Sequence, residues 1–91
     1  MFNMKQEINK KEIKEQIINL VKKMLDWYRL EIKGCQDSLK EIEKVTRKQP
    51  SELTLSDCGN LQLDLKFLME RLGDEDNYDQ LEELTNKLTE L

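Results

Sequence analysis

The stretch IKEQIINLVKKMLDWYRLEIKGCQDSLKEI, residues 13–42, decides the fold. Within it Ile18, Val21, Leu25, Tyr28, Ile32, Cys35, Leu39 and Ile42 follow one another at alternating steps of three and four. Side chains so spaced share one face of an α-helix, and held over this length the pattern is a heptad seam. A second stripe, Ile13, Ile17, Leu20, Met24 and Trp27, runs beside its first half. The early part is therefore apolar over a wide arc and the later part over a narrow one. No β-branched run alternates apolar with polar residues anywhere in the chain, so the fold class reads as all-α.

Gly34 interrupts this seam, and two consequences compete. As a left-handed residue it would end a first helix, and Ser38 with Glu41 would open another as a capping box. As an interior helical residue it costs only about 1 kcal/mol against alanine. The three-four phase continues across it, from Tyr28 and Ile32 to Cys35, Leu39 and Ile42. A loop has no reason to preserve phase. The seam thus predicts one long N-terminal helix over about residues 5–48, with room for a kink near Gly34.

Pro50 disfavours helix at Gln49 and closes that segment. Thr54, with Asp57 three residues on, can cap a second helix over about residues 55–72. Its seam is Cys58, Leu61, Leu65, Leu68 and Leu72, and Gly73 suits the left-handed stop. Asp76, with Asp79 behind it, is the expected cap of a third helix over about residues 77–91, lined by Tyr78, Leu81, Leu84, Leu88 and Leu91. The architecture expected is a single domain, residues 1–91: a long N-terminal helix packed with a C-terminal antiparallel helical hairpin.

Lengths turn this into a statement about partners. At ~1.5 Å per residue the later helices span about 25 Å and the first about 60 Å. The hairpin then covers the first helix only from about Glu31 to Val45. Ile13, Ile17, Leu20, Val21, Met24, Leu25, Trp27 and Tyr28 are left in water, each forgoing roughly 1.5–3 kcal/mol. The economical cover is a second copy, since two-fold dimers are the commonest closed assembly. Those eight residues are the expected self-association surface, and a coiled-coil-like bundle completed by a homodimer is the expected assembly. The rivals are a chain that breaks at Gly34 and folds its arm back as a four-helix monomer, and a different protein that covers the stripe.

Charge is divided unevenly. Residues 1–49 carry 12 Lys and Arg against 8 Asp and Glu, whereas residues 50–91 carry 3 against 11, within a net charge of -4. An acidic surface over Asp74, Glu75, Asp76, Asp79, Glu82 and Glu83 is the expected partner-binding patch. Such a patch can occupy a site meant for nucleic acid. The N-terminal lysines are interspersed with Glu7, Glu12 and Glu15, so nucleic acid itself is not the expected partner. No apolar run approaches a membrane span or a signal peptide, and the expected location is the cytoplasm.

Catalytic inventory is thin. There is no histidine, and the two cysteines, Cys35 and Cys58, sit at seam positions suited to small buried residues. Glu12 and Glu15 form the E-x-x-E pair with which all-α nucleotide pyrophosphohydrolases hold Mg²⁺. The second pair would need a carboxylate where Asn86 stands after Glu83. Asp74, Asp76 and Asp79 have calcium-like spacing, but the glycine and glutamate of an EF-hand loop are replaced by Asp79 and Thr85. No enzyme activity, cofactor or metal is expected. The sequence reads as a small helical protein of the bacterial or phage regulatory type that self-associates and binds another protein as inhibitor, adaptor or assembly factor. The alternative is a binder of a small anionic ligand or nucleotide, held at an oligomer interface near Trp27, Tyr28 and Arg29 by stacking and charge.

Overall fold

The computed structural model describes the backbone of residues 2–32 and 36–91, and the side chains of residues 9–32 and 39–91. Within these residues the chain forms four α-helices and no strand. They are α1 (Phe2–Glu31), α2 (Gln36–Thr46), α3 (Leu55–Leu72) and α4 (Glu75–Glu90), with a single 3-10 turn at Pro50–Glu52 before α3.

The single helix expected over about residues 5–48 is replaced by two. Arg29 and Glu43 form an ion pair although 14 positions separate them. In one continuous helix those side chains would stand about 21 Å apart. The chain therefore reverses between Glu31 and Gln36, and α2 lies antiparallel on α1. Gly34 and Cys35, where the reversal was to be decided, fall outside the described residues. Ile32 donates its N–H to the Tyr28 carbonyl at 2.8 Å, carrying the helical bonding one residue past Glu31.

The path beyond α2 brings the chain to the early half of α1. Pro50 borders Ile18 and Glu15, and Ser51 borders Lys10, Lys11 and Lys14. Leu53 then enters the core. Thr54 caps α3 as its sequence proposed: its hydroxyl accepts from the Asp57 N–H at 3.1 Å, and its own N–H donates to Asp57 Oδ2 at 3.0 Å. Lys48 holds the same carboxylate at 3.0 Å, tying the end of the α2 connection to the start of α3. Gly73, at φ 70°, ends α3 in the left-handed conformation with its N–H on the Met69 carbonyl. A side chain there would be strained, which is why glycine serves.

The start of α4 differs from the expected cap. Asp74, not Asp76, is the capping residue, and Asp76 lies in the first helical turn. The physical reason is a long-range contact. The Asp74 carboxylate is buried, accepting the Tyr28 hydroxyl at 2.8 Å and the Asn77 amide at 2.9 Å, while its carbonyl accepts the Tyr78 N–H. These bonds pull the helix start two residues earlier.

From Tyr28 and Asp74, α4 runs antiparallel along α1 until Lys87, Glu90 and Leu91 reach the level of Asn9–Gln16. The arrangement is up-down-up-down, with α1 flanked by α2 and α4 and packed only lightly on α3, its diagonal neighbour. The wide apolar arc of α1 is explained by these two flanking helices. Ile17, Ile18, Leu20, Val21, Met24, Leu25 and Tyr28 all lie in one core with Leu39, Ile42, Leu61, Leu65, Leu81, Leu84 and Leu88. The geometry that left residues 8–28 uncovered is thus corrected: α4 runs along that segment instead of stopping short of it.

Candidate functional site

The residues expected to drive self-association occupy the interior of this one chain. Ile17, Leu20, Val21, Met24, Leu25 and Tyr28 are buried, Ile13 is half-buried, and Trp27 remains at the surface. The exposed stripe from which a dimer followed is therefore covered by α2 and α4 themselves.

Trp27, Tyr28 and Arg29 do not converge on a common pocket. Consecutive residues on a helix point about 100° apart. Trp27 leans on the edge of Tyr28 with ring centroids 5.8 Å apart. Tyr28 is closed off from solvent with its hydroxyl committed to Asp74. Burial above all, then the hydrogen bond to Asp74 and that carboxylate's charge, push the Tyr28 phenol far above its ordinary pKa. Arg29 is paired with Glu43, which also holds Arg47 at 2.6 Å. Arg29 is thus engaged within the protein, although one carboxylate shared by two guanidiniums leaves this cluster net positive.

The acidic set divides in two. Asp74 is structural, as its buried bonds show. Glu75, Asp76, Asp79, Glu82 and Glu83 are exposed along the outer side of α4. Glu70, on α3, joins this surface. Burial first, then the charges of Glu82 and Glu70, raise the pKa of Tyr78. The Tyr78 hydroxyl in turn donates to the Gln62 carbonyl of α3 at 3.2 Å. The acidic edge is thereby brought to the middle of α3.

Beside it lies a feature that the seams did not single out. Leu55, Leu63 and Phe67 are 50%, 73% and 64% exposed on α3. They stand on one row of the helix, in steps of four through Gly59, so neighbouring members share the outward side. A Cβ placed on Gly59 would meet nothing within 4 Å, so the row has an open dip between Leu55 and Leu63. The signal was present in the sequence as apolar residues off the Cys58–Leu72 seam. Periodicity reports the face turned to the core and treats such residues as exceptions.

Elsewhere the surface offers shallow grooves. One of about 370 Å³ between α1 and the α2 connection is edged by Lys22, Arg47 and Lys48 with Glu15 among them. Another of about 400 Å³ lies between α1 and the end of α4, edged by Glu12, Lys87 and Glu90. Both mix the two signs of charge. Among the described residues no group of three or more potential ligands gathers to hold a metal, and no helix is long and apolar enough to cross a membrane. Cys58 is buried and free, its pKa raised by burial and by the Asp57 charge against the lowering effect of Lys14. No family model, curated protein or solved structure matches this chain.

Proposed function

We propose that this chain is a non-enzymatic helical module that binds another protein through the outer face of α3 and the acidic edge it shares with α4. It would act by occupying a partner's surface, as an inhibitor, adaptor or assembly factor does. The observation that carries this reading is the adjacent exposure of Leu63 and Phe67. Single exposed hydrophobic residues are ordinary on any protein, but large ones grouped on a helix with charged flanks mark interaction sites. Neither residue is needed by the bundle, whose α3 core is built from Cys58, Leu61, Leu65, Leu68 and Met69. Leaving two such side chains in water forgoes roughly 1.5–3 kcal/mol each, a gain recovered when a partner covers them. Aromatic anchors of this kind tend to dominate interface energetics.

The test is site-specific photocrosslinking in the native cells. A photoreactive phenylalanine analogue is placed at position 67, and in a second variant at Lys44 on α2. A discrete adduct from position 67, absent at position 44 and lost when Leu63→Asp is added, is expected. Adducts of equal yield from both positions, or none from position 67, would refute the assignment. Sedimentation of the purified variants reports whether the adduct partner is a second copy. Circular dichroism checks that Leu63→Asp melts as the parent does.

A further inference from the structure

Resting on that reading, we infer that the partner segment is a basic amphipathic helix, laid along the Leu55–Gly59–Leu63–Phe67 row with its cationic flank against Glu70 and Glu82. The row supplies what an amphipathic helix buries: apolar side chains at helical spacing, on a regular element, with open space over Gly59. The rim supplies the charge preference. Residues 50–91 carry 11 acidic against 3 basic side chains. On this face Lys66 and Arg71 interrupt the acidic rim without reversing its sign. Glu70 and Glu82 are exposed on neighbouring helices, and the Tyr78 hydroxyl ties those helices together at the Gln62 carbonyl, next to Leu63. A cationic flank set there would meet two carboxylates at once. Complementary charge of this kind raises the association rate and rejects partners of the wrong sign.

A second copy fits this surface poorly. Meeting α3 to α3, it would bring an equally acidic rim against the first. Meeting it with α1, it would offer Lys10, Lys11, Lys22 and Lys23, but the apolar stripe of that helix is turned into its own core. Among the described side chains of α1, Trp27 and Leu30 are the large hydrophobic residues exposed, and Asp26 and Glu31 lie beside them. A separate helix that carries cationic and apolar residues together meets both requirements.

The experiment uses three labelled model helices of about five turns with one identical leucine stripe, and with lysine, glutamine or glutamate on the polar flanks. Binding to the full chain is read by fluorescence anisotropy at two salt concentrations. The lysine helix is expected to bind at least about tenfold more tightly than the glutamine helix, and the glutamate helix least. Phe67→Ser is expected to weaken the lysine helix by about tenfold or more. The pair Glu70→Gln with Glu82→Gln is expected to abolish the preference for lysine over glutamine. Gly59→Gln fills the dip and is expected to weaken binding while raising the melting temperature, so that a loss of binding cannot be put down to unfolding. If the glutamine helix binds as well as the lysine helix and Phe67→Ser weakens both, the basic class is overturned while the protein-binding face stands. If the lysine helix binds but is indifferent to Phe67→Ser and Gly59→Gln, it is held by charge alone and the proposed seat is overturned. Failure of all three helices to bind overturns the inference outright, and the crosslinking from position 67 then decides separately whether the face binds protein at all.

Discussion

Tyr28→Phe removes one oxygen atom, yet that oxygen joins the end of α1 to the start of α4, 46 residues away. The substitution keeps the ring and its burial, so no cavity term enters. What changes is Asp74. Its buried carboxylate keeps the Asn77 amide, at 2.9 and 3.2 Å, and loses the Tyr28 hydroxyl at 2.8 Å. A hydrogen bond to a charged group is worth about 1.5–3 kcal/mol, and a buried acceptor left short of partners costs a similar amount. The Asn77 bond offsets part of that loss, which places the expected destabilisation near 2 kcal/mol at neutral pH. At roughly 4–8 °C per kcal/mol for a domain of this size, the melting temperature should fall on the order of 10 °C.

The measurement is a double-mutant cycle in urea, with Tyr28→Phe, Asp74→Ala and the pair together. Asp74→Ala removes the Asn77 contact as well, so it should cost more than Tyr28→Phe alone. The pair should cost little beyond Asp74→Ala, because once the carboxylate is gone the hydroxyl has nothing to satisfy. The coupling expected is about 1–3 kcal/mol. A coupling within about 0.5 kcal/mol of zero would mean that Tyr28 and Asp74 do not touch.

Three further outcomes follow from the same geometry. Gly59→Ala should stabilise the fold by about 1 kcal/mol, because α3 gains helix propensity and the added methyl meets no neighbour; a thermal melt that does not rise would show strain at that position. Against the raising effect of burial, hydrogen bonds from Thr54 and Lys48 hold the Asp57 carboxyl below its usual range. Its contribution is therefore complete above about pH 5 and fades as the pH falls through about 4 and below, so Asp57→Asn should destabilise at pH 7 and approach the parent near pH 2, as followed by urea melts across that range. In a Cys35→Ser background the Cys58 thiol, buried and raised in pKa, should react with a disulfide reagent only as fast as the bundle opens; modification at the rate of a free thiol would place it at the surface.

What could be read from the sequence was what local chemistry decides. Thr54 with Asp57 caps α3 and Gly73 stops it, because each needs only residues within a few positions. The core faces of α3 and α4 were legible for the same reason. The reversal after Glu31 was present only as the rival four-helix reading, and the continuous phase decided against it. Both α1 and α2 turn apolar faces inward, and two helices that each do so can keep a common three-four phase by accident of the connection between them. Phase continuity is thus blind to direction. The cap of α4 was misplaced because Asp74 and Asp76 are equivalent locally, and the choice between them is made by Tyr28 from across the bundle.

The packing that covers the α1 stripe also leaves one helix face free for the proposed interaction. A helix apolar over a wide arc needs two neighbours, and α1 finds them in α2 and α4. Those two then need a fourth helix between them, and α3 fills that place diagonally across from α1. Its inner face is satisfied by Leu61, Leu65 and Leu68 in the core, and its flanks by α2 and α4. Nothing described in the chain remains to cover its outer side. Among the described residues, those exposed on the outer sides of α2 and α4 are polar or charged through Glu90; on α3 they include Leu63 and Phe67. An apolar outer row on the helix whose every other side is occupied does not serve the fold. Under the proposed function a partner helix covers this row, and the exposed carboxylates of Glu70 and Glu82 favour a cationic flank on that partner.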